Sequence, residues 1–208
     1  MKKKRKERDI KMKSKFLVYI FLLATLLGCG EVPSPKPRGY FRIDLPKKEY
    51  ISTEDAVVND KTLPVSFEFP VYGKIDFVTD SEMEPGWFNV DFPAYKAKIY
   101  FTYKKVNNDL GDLMEQAYKM NVKNHIIKAD AINEQLITDP GKDVYGILYS
   151  LKGSTATAVQ FFVTDSTANF FRGSLYFEAV PNQDSLAPVI DFFKKDIEHL
   201  IETLNWQE

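Results

Sequence analysis

Between Ala131 and Val180 the chain lays down four extended runs in quick succession, at roughly Ala131–Thr138, Val144–Leu151, Thr155–Thr164 and Phe171–Val180. The gaps between them are too short for a crossover, which needs a dozen or more residues, so neighbouring runs pair as antiparallel hairpins. Asp139-Pro140-Gly141 and Lys152-Gly153-Ser154 have the composition of tight turns. Asp165-Ser166-Thr167 reads as a hairpin loop, because short Asp and Ser side chains bond their own backbone. Val159, Phe161 and Val163 share one face of the third run, and Phe171, Leu175 and Phe177 share one face of the fourth. An antiparallel meander with one strongly apolar face is thus the frame that the other elements have to cover.

The preceding segment supplies more strands. Val65–Phe69, Ile75–Val78 and Gly86–Phe92 are extended runs punctuated by Pro70, Gly73, Pro85 and Pro93. Ala97, Ile99, Phe101 and Tyr103 alternate with Lys96, Lys98, Tyr100, Thr102 and Lys104, which predicts a half-buried strand with a basic, solvated outer face. Asp109 is placed to cap a helix carrying the stripe Leu110, Leu113, Met114, Ala117 and Tyr118, fading near Lys123. A second, longer helix follows a cap at Asp184 or Ser185, with Pro188 in its first turn. Its apolar positions are Val189, Ile190, Phe193, Ile197, Leu200, Ile201 and Leu204, with Asp191, Lys194, Lys195, Glu198 and Glu202 outside. The order strands, helix, four strands, helix predicts an α+β fold, a central antiparallel sheet flanked by two helices. The layout is similar to the PsbP/Mog1-like sandwich, a fold-level analogy that carries no function. Residues 65–208 are expected to form this single domain.

What precedes it is of another kind. Lys11, Lys13 and Lys15 lead into twelve apolar residues, Phe16 to Leu27, then Gly28 and the single cysteine, Cys29. A basic start, a short apolar core and a small residue before a cut site are the parts of a secretory signal. The run falls short of the ~20 apolar residues that span a bilayer. Leu26-Leu27-Gly28-Cys29 resembles a bacterial lipobox, Leu27 being bulkier than usual at its place; in such signals the peptidase cuts before a cysteine whose sulfur already carries diacylglycerol. The alternative is an uncleaved anchor helix with an incidental thiol. A lone cysteine makes no internal disulfide, and here the thioether would use it. Each buried methylene of the acyl chains adds ~0.8 kcal/mol, so two or three chains hold a protein on a membrane. Residues 1–28 are therefore expected to be a lipoprotein signal peptide, with Met12 as an alternative start. They hold nine basic and two acidic residues out of 28 and 29, leaving 19 basic and 27 acidic, a net of −8. An acidic mature chain argues against nucleic acid as a partner. Residues 29–64 are expected to be the lipidated cysteine, a tether and a loop. Pro33, Pro35 and Pro37 alternate, which favours a stiff spacer of roughly 25 Å; an ordinary disordered leader is the competing reading. Gly39 to Pro46 reads as a short edge strand. Tyr40, Arg42 and Asp44 in it are the candidate partner contact, through backbone pairing with another chain, unless the segment merely docks on its own sheet.

Motifs for catalysis are sparse. His125 and His199 lie far apart, the first beyond a helix end where capping is the natural role, the second on the polar side of the last helix where solvation is expected. No H-E-x-x-H, paired C-x-x-C, EF-hand loop, G-x-S-x-G or glycine-rich phosphate loop occurs. Asp76, Asp80, Glu82, Glu84 and Asp91 are numerous, but nothing in the sequence pairs two of them. No catalytic residue, metal or cofactor is expected.

Several stretches together resemble the gliding motility lipoprotein GldD family of Bacteroidota: the lipobox, Pro35-Lys36-Pro37-Arg38-Gly39-Tyr40-Phe41-Arg42-Ile43-Asp44-Leu45-Pro46, Lys96–Asn108, Lys128–Ile132, Val159–Phe177 and Asp184–Trp206. Ser52–Leu63 departs as a variable insert. The resemblance implies an envelope lipoprotein needed for gliding and linked to the type IX secretion machinery, without enzymatic activity, with Cys29 bearing the lipid. Its expected partners are the membrane, through that anchor, and other gliding and secretion proteins of the envelope. Gly30 does not resemble an inner-membrane retention signal, and Glu31 alone is a poor match to a surface-export tag, which points to the outer membrane, facing the periplasm. An assembly or scaffold role leads; a periplasmic binding module for a lipid, glycan or peptide, with a groove beside the sheet, and a hydrolase are the alternatives.

Overall fold

The computed structural model describes residues 43–55, 63–77, 86–178 and 183–207. The signal, Cys29, the proline spacer, Tyr40 and Arg42 lie outside the described residues. The strands are β1 (Tyr50–Ser52), β2 (Val65–Ser66), β3 (Glu68–Pro70), β4 (Lys74–Phe77), β5 (Trp87–Phe92), β6 (Ala97–Lys105), β7 (Ala129–Asp139), β8 (Val144–Gly153), β9 (Thr157–Thr164), β10 (Asn169–Phe177) and β11 (Asn205–Trp206). Helix α1 spans Leu110–Tyr118 and runs into a π-helical turn, Lys119–Lys123; helix α2 spans Gln183–Thr203. A seven-stranded sheet has the order β4-β5-β6-β10-β9-β8-β7, every neighbour antiparallel. Two short ribbons, β1 with β3 and β2 with β11, accompany it.

The meander β7 to β10 forms as its turns dictate, and β6 pairs with β10 instead of with its successor. The chain must then cross from the sheet's middle to its far edge between β6 and β7, and α1 makes that crossing. This puts α1 on one face and α2 on the other. The two helices cover two separate cores. Under α2 lie Phe88, Phe101, Val159, Phe161, Phe171 and Leu175, met by Phe193, Ile197, Leu200 and Leu204. Under α1 lie Tyr149, Leu151, Phe162 and Phe170, met by Leu113, Ala117 and Val122. From Val159 onward, odd and even residues of β9 therefore face different cores, and all eight of its residues are buried. Aromatic rings tile the α2 side: Phe88 and Phe101 stack at 4.9 Å, Phe101 and Phe171 at 5.3 Å. Gly173 stands in that row because a Cβ there would fall on the Phe161 ring and 3.0 Å from Phe101.

Four local expectations change. Residues 43–49 carry no strand; pairing begins at Tyr50. Pro46 has no N–H to give a ladder, so the edge forms beyond it. Asp109 stands at the start of α1 without capping it: its Oδ1 accepts the N–H of Asn107 at 2.7 Å, an Asx-type turn that looks backward. Met114 and Tyr118 are exposed, because α1 covers only the β8–β10 corner of its face and the outer half of the stripe has nothing beneath it. Finally, α2 begins at Gln183, so Pro188 lies inside the helix, beyond its first turn.

Candidate functional site

Of the residues singled out in the sequence, Asp44 alone among Tyr40, Arg42 and Asp44 is described. It is exposed, and its carbonyl accepts the Tyr95 hydroxyl at 3.2 Å. The basic row of β6 is partly neutralised: Lys98 pairs with Asp91 at 3.3 Å, and its ammonium lies 5.7 Å from the Tyr100 ring. Although burial works against its charge, the bond to and charge of Asp91 raise the Lys98 pKa. His125 contributes backbone to the turns that end α1, donating its N–H to Val122 and accepting from Lys128 and Ala129. Burial, then Lys128, holds its ring below the usual imidazole pKa. Asp165 builds the β9–β10 loop as expected, its Oδ1 taking the N–H groups of Thr167, Ala168 and Asn169 at 2.8–2.9 Å.

His199 departs from its expectation. It is not simply solvated: its ring stacks on Tyr50 at 3.8 Å and its Nε2 meets Glu68 Oε2 at 2.6 Å. The cause is the β1–β3 ribbon, which lies along that side of α2. Beside it stands Asp196, 1% exposed. Its Oδ1 accepts Lys48 Nζ at 2.5 Å and the Tyr50 hydroxyl at 2.9 Å, and its Oδ2 accepts the Tyr72 hydroxyl at 2.6 Å. Lys48 also donates to the Phe192 carbonyl at 2.9 Å and covers its ring at 3.5 Å. Burial, reinforced by Asp196, pushes both phenols well above the ordinary tyrosine range, so they keep their protons. A carboxylate whose two oxygens already take three donors has little left for proton transfer. This hub clamps the ribbon to α2. The sequence signal for it was an acid at 196 wedged among Phe193, Ile197 and Leu200, inside the helix's apolar stripe.

The α1 side of the sheet has a different character. Cross-strand register puts Trp87, Thr102, Arg172 and Phe162 in one row, and Asn89, Tyr100, Ser174, Gln160 and Tyr149 in the next, all on the same face. Because α1 sits over the β8–β10 corner, the β5–β6–β10 part of these rows is polar and partly open, with Tyr100 and Tyr176 exposed and packed edge to face at 5.4 Å. Ser174 donates to Gln160 Oε1 at 3.2 Å. Arg172 reaches Met120 Sδ at 2.8 Å and Asn121 Oδ1 at 3.3 Å. Among the described residues the buried side-chain nitrogens or oxygens without a partner are Trp87 Nε1, Asn121 Nδ2, Gln160 Nε2 and Arg172 Nε. All four are N–H donors, and three cluster at Arg172. Arg172 was not among the residues singled out in the sequence; the signal that could have found it is a lone cation between Phe171 and Gly173 in an otherwise uncharged strand. Among the described residues no group of three or more His, Cys, Asp or Glu could hold a metal ion, and no helix is long and apolar enough to cross a membrane.

A family model described as gliding motility lipoprotein GldD matches residues 30–206. No curated protein matches the chain. Among solved structures, the solution structure of cyanobacterial PsbP (CyanoP) from Synechocystis sp. PCC 6803 is similar at 10% identity and a TM-score of 0.44, over 84% of this chain and 100% of that one.

Proposed function

The chain belongs to the gliding motility lipoprotein GldD family, and from that we propose that it is a non-enzymatic component of the cell envelope that serves the assembly of the gliding apparatus and the linked type IX secretion machinery. In this reading Cys29 carries the lipid, residues 1–28 are removed, and the proline segment spaces the domain from the outer membrane on its periplasmic side. The observation that supports it is the extent of the family match, which starts at residue 30, directly behind Cys29, and runs to the end of β11. The engagement of Asp196 and His199 in holding β1 and β3 supports a non-enzymatic role. Replacing Cys29 by Ala should leave an unprocessed precursor and abolish colony spreading and adhesin export; normal spreading with an unlipidated chain sinks the tether. In the same strains, Arg42→Glu tests Tyr40, Arg42 and Asp44 as a partner contact. Crosslinks to envelope proteins unchanged by that substitution would leave the segment a docking strap only, a role the Tyr95–Asp44 bond already fits.

The unpartnered donors around Arg172 favour a second reading, a binding module whose open sheet face takes a ligand. Side-chain N–H resonances of Trp87, Gln160 and Arg172 that respond to no envelope component would count against it.

A further inference from the structure

A guanidinium partly taken out of water, with its Nε buried, calls for a counter-charge. Among the described residues no carboxylate lies within ion-pairing distance of Arg172. Its two terminal nitrogens go to a thioether and an amide oxygen, and its Nε goes to nothing. A thioether is a weak acceptor, and methionine is the most adaptable of apolar side chains. Met120 thus occupies, with a poor acceptor, a place where a good one belongs, and it is itself exposed. The surroundings make the same demand. Asn121 is 0% and Gln160 2% exposed, and each buries an N–H with no acceptor. Gln160 lies diagonal to Arg172 across the β9–β10 pair, at ~7 Å between positions, within reach of long side chains. One cation and two neutral donors with no matching acceptor describe the complement of an oxyanion.

We propose that Arg172, with Asn121 and Gln160, forms a binding site for a single carboxylate group. This rests on the binding-module reading and is independent of the lipid tether. Charge selects carboxylate over phosphate. One guanidinium neutralises one carboxylate in the bidentate fork that both groups favour, whereas a phosphate dianion would bring an uncompensated charge into a poorly solvated place. On entry the carboxylate takes Arg172 Nε and the terminal nitrogen beside it, Nη2, in place of the long bond to Asn121 Oδ1, while Asn121 Nδ2 and Gln160 Nε2 donate to its remaining lone pairs. Tyr100 and Tyr176, beside Ser174 on the same face, offer ring surface to whatever carries the carboxylate.

The experiment uses the full chain in detergent, labelled with nitrogen-15, and reads the Arg172 Nε–H and the Asn121 and Gln160 amide resonances. The probes are acetate, an alanine tripeptide with a free C-terminus, the same tripeptide amidated, and inorganic phosphate, each against chloride at equal ionic strength. The expected result is a saturable shift with acetate and with the free tripeptide only. Equal affinity for the two identifies a small carboxylate as sufficient; tighter binding of the tripeptide identifies a chain terminus. Arg172→Lys, which keeps charge but not the fork, should weaken binding about tenfold, and Arg172→Gln should abolish it, each at unchanged circular dichroism. If those variants fail to fold, the wild-type titration still decides. Stronger response to phosphate or to the amidated peptide overturns the carboxylate while leaving a binding module. No shift with any probe overturns both, and assigns the donors to ordered water.

Discussion

Replacing Asp196 by Ala removes the one acceptor that Lys48, Tyr50 and Tyr72 share. Taking one member from a buried ion pair costs roughly 3–5 kcal/mol. Each hydroxyl deprived of its partner adds about 1 kcal/mol. Lys48 keeps the Phe192 carbonyl and ring, and with 26% of its side chain exposed it regains some water, which offsets part of the loss. The net is about 4 kcal/mol, a large fraction of the ~5–15 kcal/mol that holds a domain together. At roughly 2–4 °C per kcal/mol for a domain of this size, Tm should fall by about 12 °C. Asp196→Asn keeps the volume and one oxygen but not the charge, and should cost about half as much. The pair also differs with pH. Burial first, then the bond to and charge of Asp196, raise the Tyr50 and Tyr72 pKa values above those of the unfolded chain. Their contribution is thus complete below about pH 10 and is lost as pH rises through the folded values. With Asn at 196 burial and the charges of other neighbours, such as Glu202 and Glu68 beside Tyr50, still raise the phenols but the bond to and charge of Asp196 do not, so the gap between wild type and Asp196→Asn should narrow in the alkaline range. Urea and thermal melts followed by circular dichroism at neutral and alkaline pH measure both effects. An Asp196→Ala variant within about 0.5 kcal/mol of wild type at neutral pH, the range of an ordinary surface change, would refute the clamp.

Two further predictions concern backbone and loop. A Cβ at Gly146 would fall on the Phe162 carbonyl oxygen and 2.9 Å from the Val163 Cα, so β8 and β9 would have to part; Gly146→Ala should cost about 3 kcal/mol. Gly111, in α1 with nothing within 4 Å of its Cβ position, should instead gain up to about 1 kcal/mol when replaced by Ala, and denaturant melts of both variants check the contrast. Asp165→Ala removes three backbone bonds and one from Asn169 Nδ2, and should destabilise by roughly 2–3 kcal/mol. Burial alone would push that carboxyl up, but the N–H groups of Asn169, Thr167 and Ala168 outweigh it and hold its pKa down. The contribution is therefore present above the unfolded value near pH 4 and disappears as pH falls through the folded one. The difference in Tm between wild type and variant should be flat near neutrality and shrink in acid.

Strands β4 to β10 and both helices were legible because their causes are local; β1, β11 and the split of Val65–Phe69 into β2 and β3 were not. Alternation at Ala97, Ile99, Phe101 and Tyr103 fixes which residues of β6 point inward. Asp165 closes the loop of β9 and β10 with its own neighbours. Boundaries moved where a local signal met a distant partner. Tyr50 is extended because Pro70 lies across from it, and His199 stacks on Tyr50 because the ribbon arrives over α2.

Alternation, turn residues and helical spacing act over a few residues, and they were enough to give the antiparallel meander, the apolar faces of its strands, the α+β class and the stretches that mark the family. The tertiary structure decided what the polar residues inside that pattern do. Asp196 becomes a clamp only because Lys48, Tyr50 and Tyr72, more than a hundred residues away, come to it. Arg172 meets a thioether and an amide oxygen only because the crossing from β6 to β7 sets α1, and with it Met120 and Asn121, over one corner of the sheet. Which face is covered, and by what, is a property of topology, and a partner distant in sequence leaves no periodic trace in it.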